Sequence, residues 1–302
     1  MGKYQEYALS LVCFFSAAVS LAALIAICFF LLESAIPFLQ EEGTASFLFG
    51  KYWRPTEEIF GILPMLAGSA YVTGGAVLLG VPPGLLCAVF LARFCPARLY
   101  RIVRPLVETM AGIPSVVYGL FGLCFVVPLV QSVCGGSGKG ILSAAVMLAI
   151  MILPTVISVA EAAIRTVPES YYEGARALGA SREQSVFFAL LPGAAFGMLT
   201  AVMLGIGRAV GETMAVVMVA GNQVWMPQSL TAGVRTLTGL IVLEMGYAAE
   251  GKHRDALITA GAVLFAWILL MNLAVSLLQN RREREKPRGR KSGVKLPRKG
   301  KR

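Results

Sequence analysis

Long apolar stretches alternate with short polar ones along the whole chain. Six of the apolar stretches cover approximately residues 8–32, 63–92, 106–131, 141–164, 196–220 and 256–279. Each supplies about 20 apolar residues, enough for a helix to cross a ~30 Å hydrocarbon core. Helices suit that setting because they satisfy their own backbone groups where no water can. The pattern therefore predicts an all-α integral membrane protein with six transmembrane helices. The first stretch, Tyr7 to Leu32, exceeds the ~7–15 apolar residues of a signal peptide and predicts an uncleaved anchor helix. Gly74-Gly75 and Pro82-Pro83 predict bends or interruptions in the second span, and Pro114, Pro128 and Pro154 in the third and fourth. Broken helices survive in a membrane only beside protein or a water-filled path, which favours a transporter over a simple anchor.

Composition agrees with the pattern. The 302 residues are 57% hydrophobic and 15% charged, against roughly a quarter charged in soluble domains. The net charge of +10 points at first to nucleic acid, but twelve of the 27 Lys and Arg lie in the tail, residues 281–302. With the N-terminus inside, twenty basic residues fall on the inner side and six outside, with Arg208 inside a span. This bias places both termini and the 165–195 loop in the cytoplasm. The tail carries Pro287 and Pro297 and no apolar periodicity. It is expected to be disordered and drawn to anionic lipid headgroups rather than to nucleic acid. Three regions follow: an anchor helix and first outer loop over 1–62, a core of the remaining spans over 63–280, and the basic tail over 281–302.

Several chemistries are excluded. The six cysteines form no CxxC pair and His253 is the only histidine, which argues against a disulfide framework or a metal site. Gly135-Gly136-Ser137-Gly138-Lys139-Gly140 imitates a phosphate-binding loop, but Val133 stands where the first glycine belongs and Gly140 replaces Ser or Thr. It reads as a flexible outer turn. No span carries a histidine or paired aspartates for intramembrane proteolysis, so no catalytic residue is expected.

Two polar features remain inside this apolar frame. The first is the loop between the fourth and fifth spans. Pro168 fits the first turn of a helix, and Glu169 suits the positive end of its dipole. Gly179 is placed to end that helix in a left-handed cap. Ser181 and Gln184 have capping-box spacing for a second short helix. Pro192 is expected to stop or bend it at re-entry into the membrane. The second feature is Arg208 with Glu212, four residues apart on one face of the fifth span, and Thr213 beside them. A lone arginine in hydrocarbon costs ~2.5–3.5 kcal/mol on insertion scales, so it needs a partner or a polar path. Glu212 is the expected partner. The pair reads either as a structural lock between helices or as an element of a path or gate, where guanidinium would meet an anion. Glu108 and Glu161 are expected to pair with Arg104 and Arg165, each four residues away.

The first feature has a recognisable spacing: Glu173-x-Ala175, three residues, Gly179, eleven residues, then Leu191-Pro192. It resembles the EAA loop of ABC importer permeases. That resemblance implies a cytoplasmic coupling loop docking on an ATPase through Glu173, Gly174, Ala175, Gly179, Leu191 and Pro192. Four further stretches are similar to the PstC-type phosphate permeases. They are Trp53-x-Pro55 with Phe60-Gly61-Ile62-Leu63-Pro64, then Gly112 to Gly119, Val167 to Ala175, and Gly207 to Ala215. The resemblance covers residues ~50–280. The outer loop between spans three and four is shorter, and the tail longer, than that family leads one to expect. It implies a type I ABC importer permease fold in a bacterial inner membrane, importing phosphate past Arg208, Glu212 and Thr213. It also implies a PstA-like second permease, a PstB-like ATPase dimer holding ATP and Mg, and a PstS-like phosphate-binding protein. Permeases for sulfate, molybdate or phosphonate, and a carrier independent of ATP, stay open as alternatives.

Overall fold

The computed structural model describes residues 3–285. The chain folds into α1 (Lys3–Glu42), α2 (Thr44–Phe49), a two-stranded antiparallel hairpin of β1 (Trp53–Arg54) and β2 (Ile59–Phe60), and α3 (Leu63–Val89). There follow α4 (Ala97–Gly112), α5 (Ser115–Phe121), α6 (Val127–Cys134), α7 (Ile141–Thr166), α8 (Ser170–Ala177) and α9 (Arg182–Gln184). The last elements are α10 (Leu191–Gly211), α11 (Met214–Val219), α12 (Leu237–Glu244) and α13 (Lys252–Glu285). Wide π-helical turns at Gly122–Val126 and Ser185–Leu190 join helix to helix without a break, and a third, Phe90–Phe94, ends the span of α3 before the extended Cys95 and Pro96. Six helices are long and apolar enough to cross a membrane: Leu9–Glu42, Leu63–Phe94, Ser115–Cys134, Ile141–Thr166, Arg182–Gly211 and Lys252–Leu273.

The packing centre is α7, with α3 on one side and α10 on another. Lipid tails are as apolar as leucine, so burial alone does not hold such helices together; close backbone approach does. Small residues on α3 supply it. A Cβ on Gly80 would stand 2.9 Å from the Ala149 carbonyl oxygen, and one on Gly75 2.8 Å from the Ala145 Cβ. Val72, Ala76, Met147, Ile152 and Val156 fill the interface. A second core gathers Phe38, Phe47, Trp53, Phe60, Leu237 and Leu257, tying the end of α1 and the hairpin to α12 and α13. The end of the bundle bearing α8 and α9 is here the loop end, and the end bearing the hairpin the far end.

Six spans are present, but their limits differ from those read off the chain. The first helix continues to Glu42, past Pro37. The third span is Ser115–Cys134, not 106–131, because the chain leaves the helix at Ile113 and Pro114, both extended. The segment before the break, α4, is amphipathic and packs against α7 without being part of a span. The fifth span likewise stops being helical at Glu212, so 196–220 is not one helix. Conversely, Gly74-Gly75, Pro82-Pro83 and Pro154 do not interrupt their helices. Each proline removes one donor while its ring keeps a helical φ, and leaving the helix inside an apolar layer would expose more backbone than that. Backbone helix continues to Glu285, into the start of the tail expected to be disordered; the rest of that tail lies outside the described residues.

Candidate functional site

The polar loop folds as helix, glycine turn, helix. Glu173, Gly174 and Ala175 lie on α8, with Glu173 and Gly174 exposed and open space above Gly174. Gly179 takes φ +88°, the left-handed region that a glycine enters without a Cβ clash. The Arg176 guanidinium donates to the Ala180 carbonyl at 2.8 Å and closes the turn. Ser181 and Gln184 form the reciprocal capping box, the Ser181 amide donating to Gln184 Oε1 at 2.9 Å and the Gln184 amide to Ser181 Oγ at 3.2 Å. Leu178, at the turn, is 91% exposed. Of the stop or bend expected at Pro192, the stop does not occur. Leu191 and Pro192 open α10, and the π-helical turn before them carries the helix through.

Contacts that sequence spacing does not show hold this knob to the bundle. Arg93, at the end of α3, pairs with Glu169 at 2.7 Å and lies over the Tyr172 ring. Arg182 donates to the Arg93 carbonyl at 2.6 Å and covers the Phe94 ring. Val167, Val186 and Leu190 bury against Ala88, Val89 and Ile164. Just inside, Glu161 on α7 is 2% exposed and is ringed by donors. Arg165 reaches it at 2.8 Å and Arg104 at 2.5 Å, and the Tyr100 hydroxyl donates at 2.9 Å. Burial, then the hydrogen bond to Glu161, raises the Tyr100 phenol above its ordinary range, so it remains a donor. Arg104 also pairs with Glu108 at 2.8 Å. The expected pairs with Arg104 and Arg165 are both present. The bond from Arg104 across to Glu161, 57 residues away, has no local sequence signal.

The two broken helices meet in the middle of the bundle. A Cβ on Gly119 of α5 would stand 3.0 Å from Ala215 Cα of α11, so glycine is what lets these segments touch. The Tyr118 hydroxyl donates to the Met110 carbonyl at 2.8 Å, satisfying a group freed by the break at Pro114. Glu212 sits in the other break in an extended conformation. Its Oε1 accepts from the Ala215 amide at 3.1 Å, capping α11, while its carbonyl accepts from Thr238. Thr213 Oγ1 donates to the Gly211 carbonyl at 3.4 Å. The expected Arg208–Glu212 ion pair is therefore not formed. Four-residue spacing aligns two side chains only along a continuing helix, and α10 ends at Gly211. Arg208 turns instead to α7, donating to Thr155 Oγ1 at 3.1 Å, within Coulombic reach of Tyr118. It is partly exposed, and no other hydrogen bond or ion pair engages it among the described residues.

At the far end Glu244 is a second buried carboxylate. It accepts from Trp53 Nε1 at 2.9 Å and Arg235 at 2.5 Å, with His253 Nε2 at 3.0 Å. Lys252 pairs with Glu41, Glu42 and Glu58 at 3.1, 3.3 and 3.4 Å. The glycine-rich turn is exposed at Gly135 and Gly136 and anchored at its end, where Gly140 donates to the Val219 carbonyl and Ser143 Oγ to the Gly138 carbonyl. Among the described residues no three His, Cys, Asp or Glu group as a metal would require.

Comparison with known proteins follows this geometry. Residues 80–285 match the family described as binding-protein-dependent transport system inner membrane component. The chain is 36% identical over 273 residues to a probable ABC transporter permease protein, YqgH, of Bacillus subtilis, covering 88% of each. It is 34% identical to the phosphate transport system permease protein PstC of Mesorhizobium japonicum, over 76% of each chain. The PstC of Haemophilus influenzae is 34% identical over 77% of this chain and 80% of that one. Among solved structures, a bacterial alginate ABC transporter bound to its periplasmic protein matches with TM-score 0.62 at 14% identity, covering 93% of this chain and 94% of that one. The inward-facing MetNI methionine transporter matches with TM-score 0.57 at 22% identity, covering 75% and 97%. These likenesses establish the ABC permease fold.

Proposed function

The chain belongs to the family of binding-protein-dependent transport system inner membrane components, and from that premise we propose that the ion it passes is inorganic phosphate. The observation that carries the proposal is Arg208. A guanidinium held within the membrane by one hydrogen bond, to Thr155 at 3.1 Å, keeps donors for a transient anion. Its planar fork matches the oxygens of a phosphate. Glu212, engaged in capping α11, does not neutralise it. The two helix breaks beside it give a path through the layer with backbone groups to line it. Similarity to PstC proteins supports phosphate over other oxyanions.

In this reading the loop end faces the cytoplasm. Glu173, Gly174 and the exposed Leu178 are the surface on which a separate ATPase docks. ATP and Mg belong to that ATPase. A second, PstA-like permease completes the path, and a PstS-like protein delivers phosphate to the far end. The chain itself makes and breaks no covalent bond.

The test is uptake of labelled phosphate or labelled sulfate into proteoliposomes holding the chain with these partners. Wild type should take up phosphate and not sulfate, only with ATP. Arg208→Ala should lose uptake by tenfold or more, since ~1.4 kcal/mol of lost anion stabilisation already makes that factor. Arg208→Lys, which keeps the charge without the fork, should recover part of it. Glu173→Lys should abolish uptake and weaken ATPase association. Sulfate uptake equal to phosphate overturns the substrate. Full phosphate uptake by Arg208→Ala overturns the path.

A further inference from the structure

Helix α4 has three faces, and the bundle uses only one. Tyr100, Val103, Arg104 and Val107, at positions i, i+3, i+4 and i+7, turn to α7 through Glu161, Leu153 and Ile157. Tyr100 and Arg104 bond to Glu161, and Val107 packs in one cluster with Ile157, a turn further along α7. The helix therefore rises alongside α7 from the loop end toward the middle of the layer. A second face, Leu99, Ile102 and Leu106, repeats at i, i+3 and i+7 and is 41, 62 and 59% exposed. The third face is polar and begins with Arg98 and Arg101, one turn apart. Neither arginine has an acidic partner among the described residues. Arg101 reaches only the Ala97 carbonyl, at 3.4 Å. Their neighbour Arg104, by contrast, is fully engaged with Glu108 and Glu161.

An apolar stripe with unpaired cations at its shallow end is what a helix at a membrane boundary requires. The stripe enters the acyl region and the guanidinium groups remain at headgroup depth. Charge complementarity selects anionic headgroups, toward which each arginine contributes independently. We propose that α4 is a lipid-binding surface: Leu99, Ile102 and Leu106 contact the acyl chains of a phospholipid whose anionic headgroup is held by Arg98 and Arg101. Its leaflet is the cytoplasmic one under the orientation proposed above; the lipid contact itself does not depend on that orientation or on the transported ion. Through the bonds of Arg104 and Tyr100 to Glu161, this surface is tied to the helix that feeds the loop.

The test is fluorescence quenching of the full chain, its six cysteines replaced, carrying Ile102→Cys labelled with an environment-sensitive dye. It is placed in phosphatidylcholine nanodiscs doped with doxyl-labelled phosphatidylglycerol or doxyl-labelled phosphatidylcholine. Half-quenching is expected at about a tenfold lower mole fraction of the anionic lipid, the order that two partly solvated arginines supply. Arg98→Gln with Arg101→Gln should abolish the difference while leaving quenching by the neutral lipid. Removal of the distant Arg254 charge by Arg254→Gln should leave the difference intact. Equal quenching by both lipids in the parent chain would refute headgroup selection. Quenching by aqueous iodide and by neither lipid would refute membrane contact. A dye that neither iodide nor lipid reaches would show that protein covers this face instead.

Discussion

Glu161 shows how one carboxylate can organise an end of a membrane protein. It is buried, yet three donors from α4 and α7 converge on it, so the ion is compensated within the apolar layer. Removing a buried partner is far costlier than never having placed the pair, because it leaves charge without compensation. Glu161→Ala takes the shared carboxylate from Arg104 and Arg165, although Arg104 keeps Glu108 and Arg165 is half exposed. It should cost ~2–3 kcal/mol, the loss of charged hydrogen bonds, seen as a fall in thermal unfolding temperature in detergent or nanodiscs. Tyr100→Phe removes one hydroxyl donor and should cost only about 1 kcal/mol. Equal effects from the two would show that the carboxylate is not the hub. Part of this was legible in the sequence, since Arg165 and Arg104 stand four residues from Glu161 and Glu108. The cross-link between the pairs was not, because it depends on α4 lying against α7. The same reason explains Arg208. Its spacing to Glu212 reads as a pair only if the helix continues, and whether it continues is decided by tertiary contacts of α11 with α5 and α12.

Among elements, the spans were legible because a bilayer imposes length and apolarity on them, and the second, fourth and sixth helices sit near their expected places. Where helices break was legible only in part. Proline content pointed to α3 and α7, both of which run through, and to Pro114, where the third stretch does break; the break at Glu212–Thr213 carries no proline and no such signal. The π-helical turns have no sequence signature at this level, so the smooth passage from α9 into α10 replaced an expected stop at Pro192. Turn chemistry was more readable, as Gly179 and the Ser181 capping box show. Gly179 takes φ +88° with nothing near its missing Cβ, so the penalty for a side chain is conformational rather than steric. Gly179→Ala should cost roughly 1–2 kcal/mol. Gly179→Asn should cost less, since asparagine tolerates that region. Both should be measured by ATPase association with the purified chain. Equal losses from Ala and Asn would mean that the loop reads the side chain and not the backbone.

At the scale of the molecule, the loop and Arg208 are joined through two closely packed helices. Glu169 beside α8 is bonded to Arg93 at the end of α3. Gly75 and Gly80 then let α3 sit directly on α7, where any relative slide would bring backbone into clash. Thr155 of α7 holds Arg208 of α10. In the proposed transport cycle a push on the loop would arrive at the guanidinium through one stiff unit, entering at the Arg93–Glu169 pair, which is open to solvent on its Glu169 side. Such a pair adds little to folding, about 1 kcal/mol or less. Its loss should therefore appear in coupling and not in stability. Arg93→Glu should leave the unfolding temperature and basal ATP hydrolysis of the assembled transporter near wild type, and lower phosphate uptake per ATP about tenfold, within the range of ordinary coupling energies. Adding Glu169→Arg restores the attraction with the charges exchanged and should recover most of the uptake. Recovery in the exchange variant distinguishes transmission through this pair from a mere need for arginine at position 93. Uptake unchanged in Arg93→Glu would move the entry of the force to the Arg182–Phe94 contact, where the same measurement on Arg182→Ala would find it.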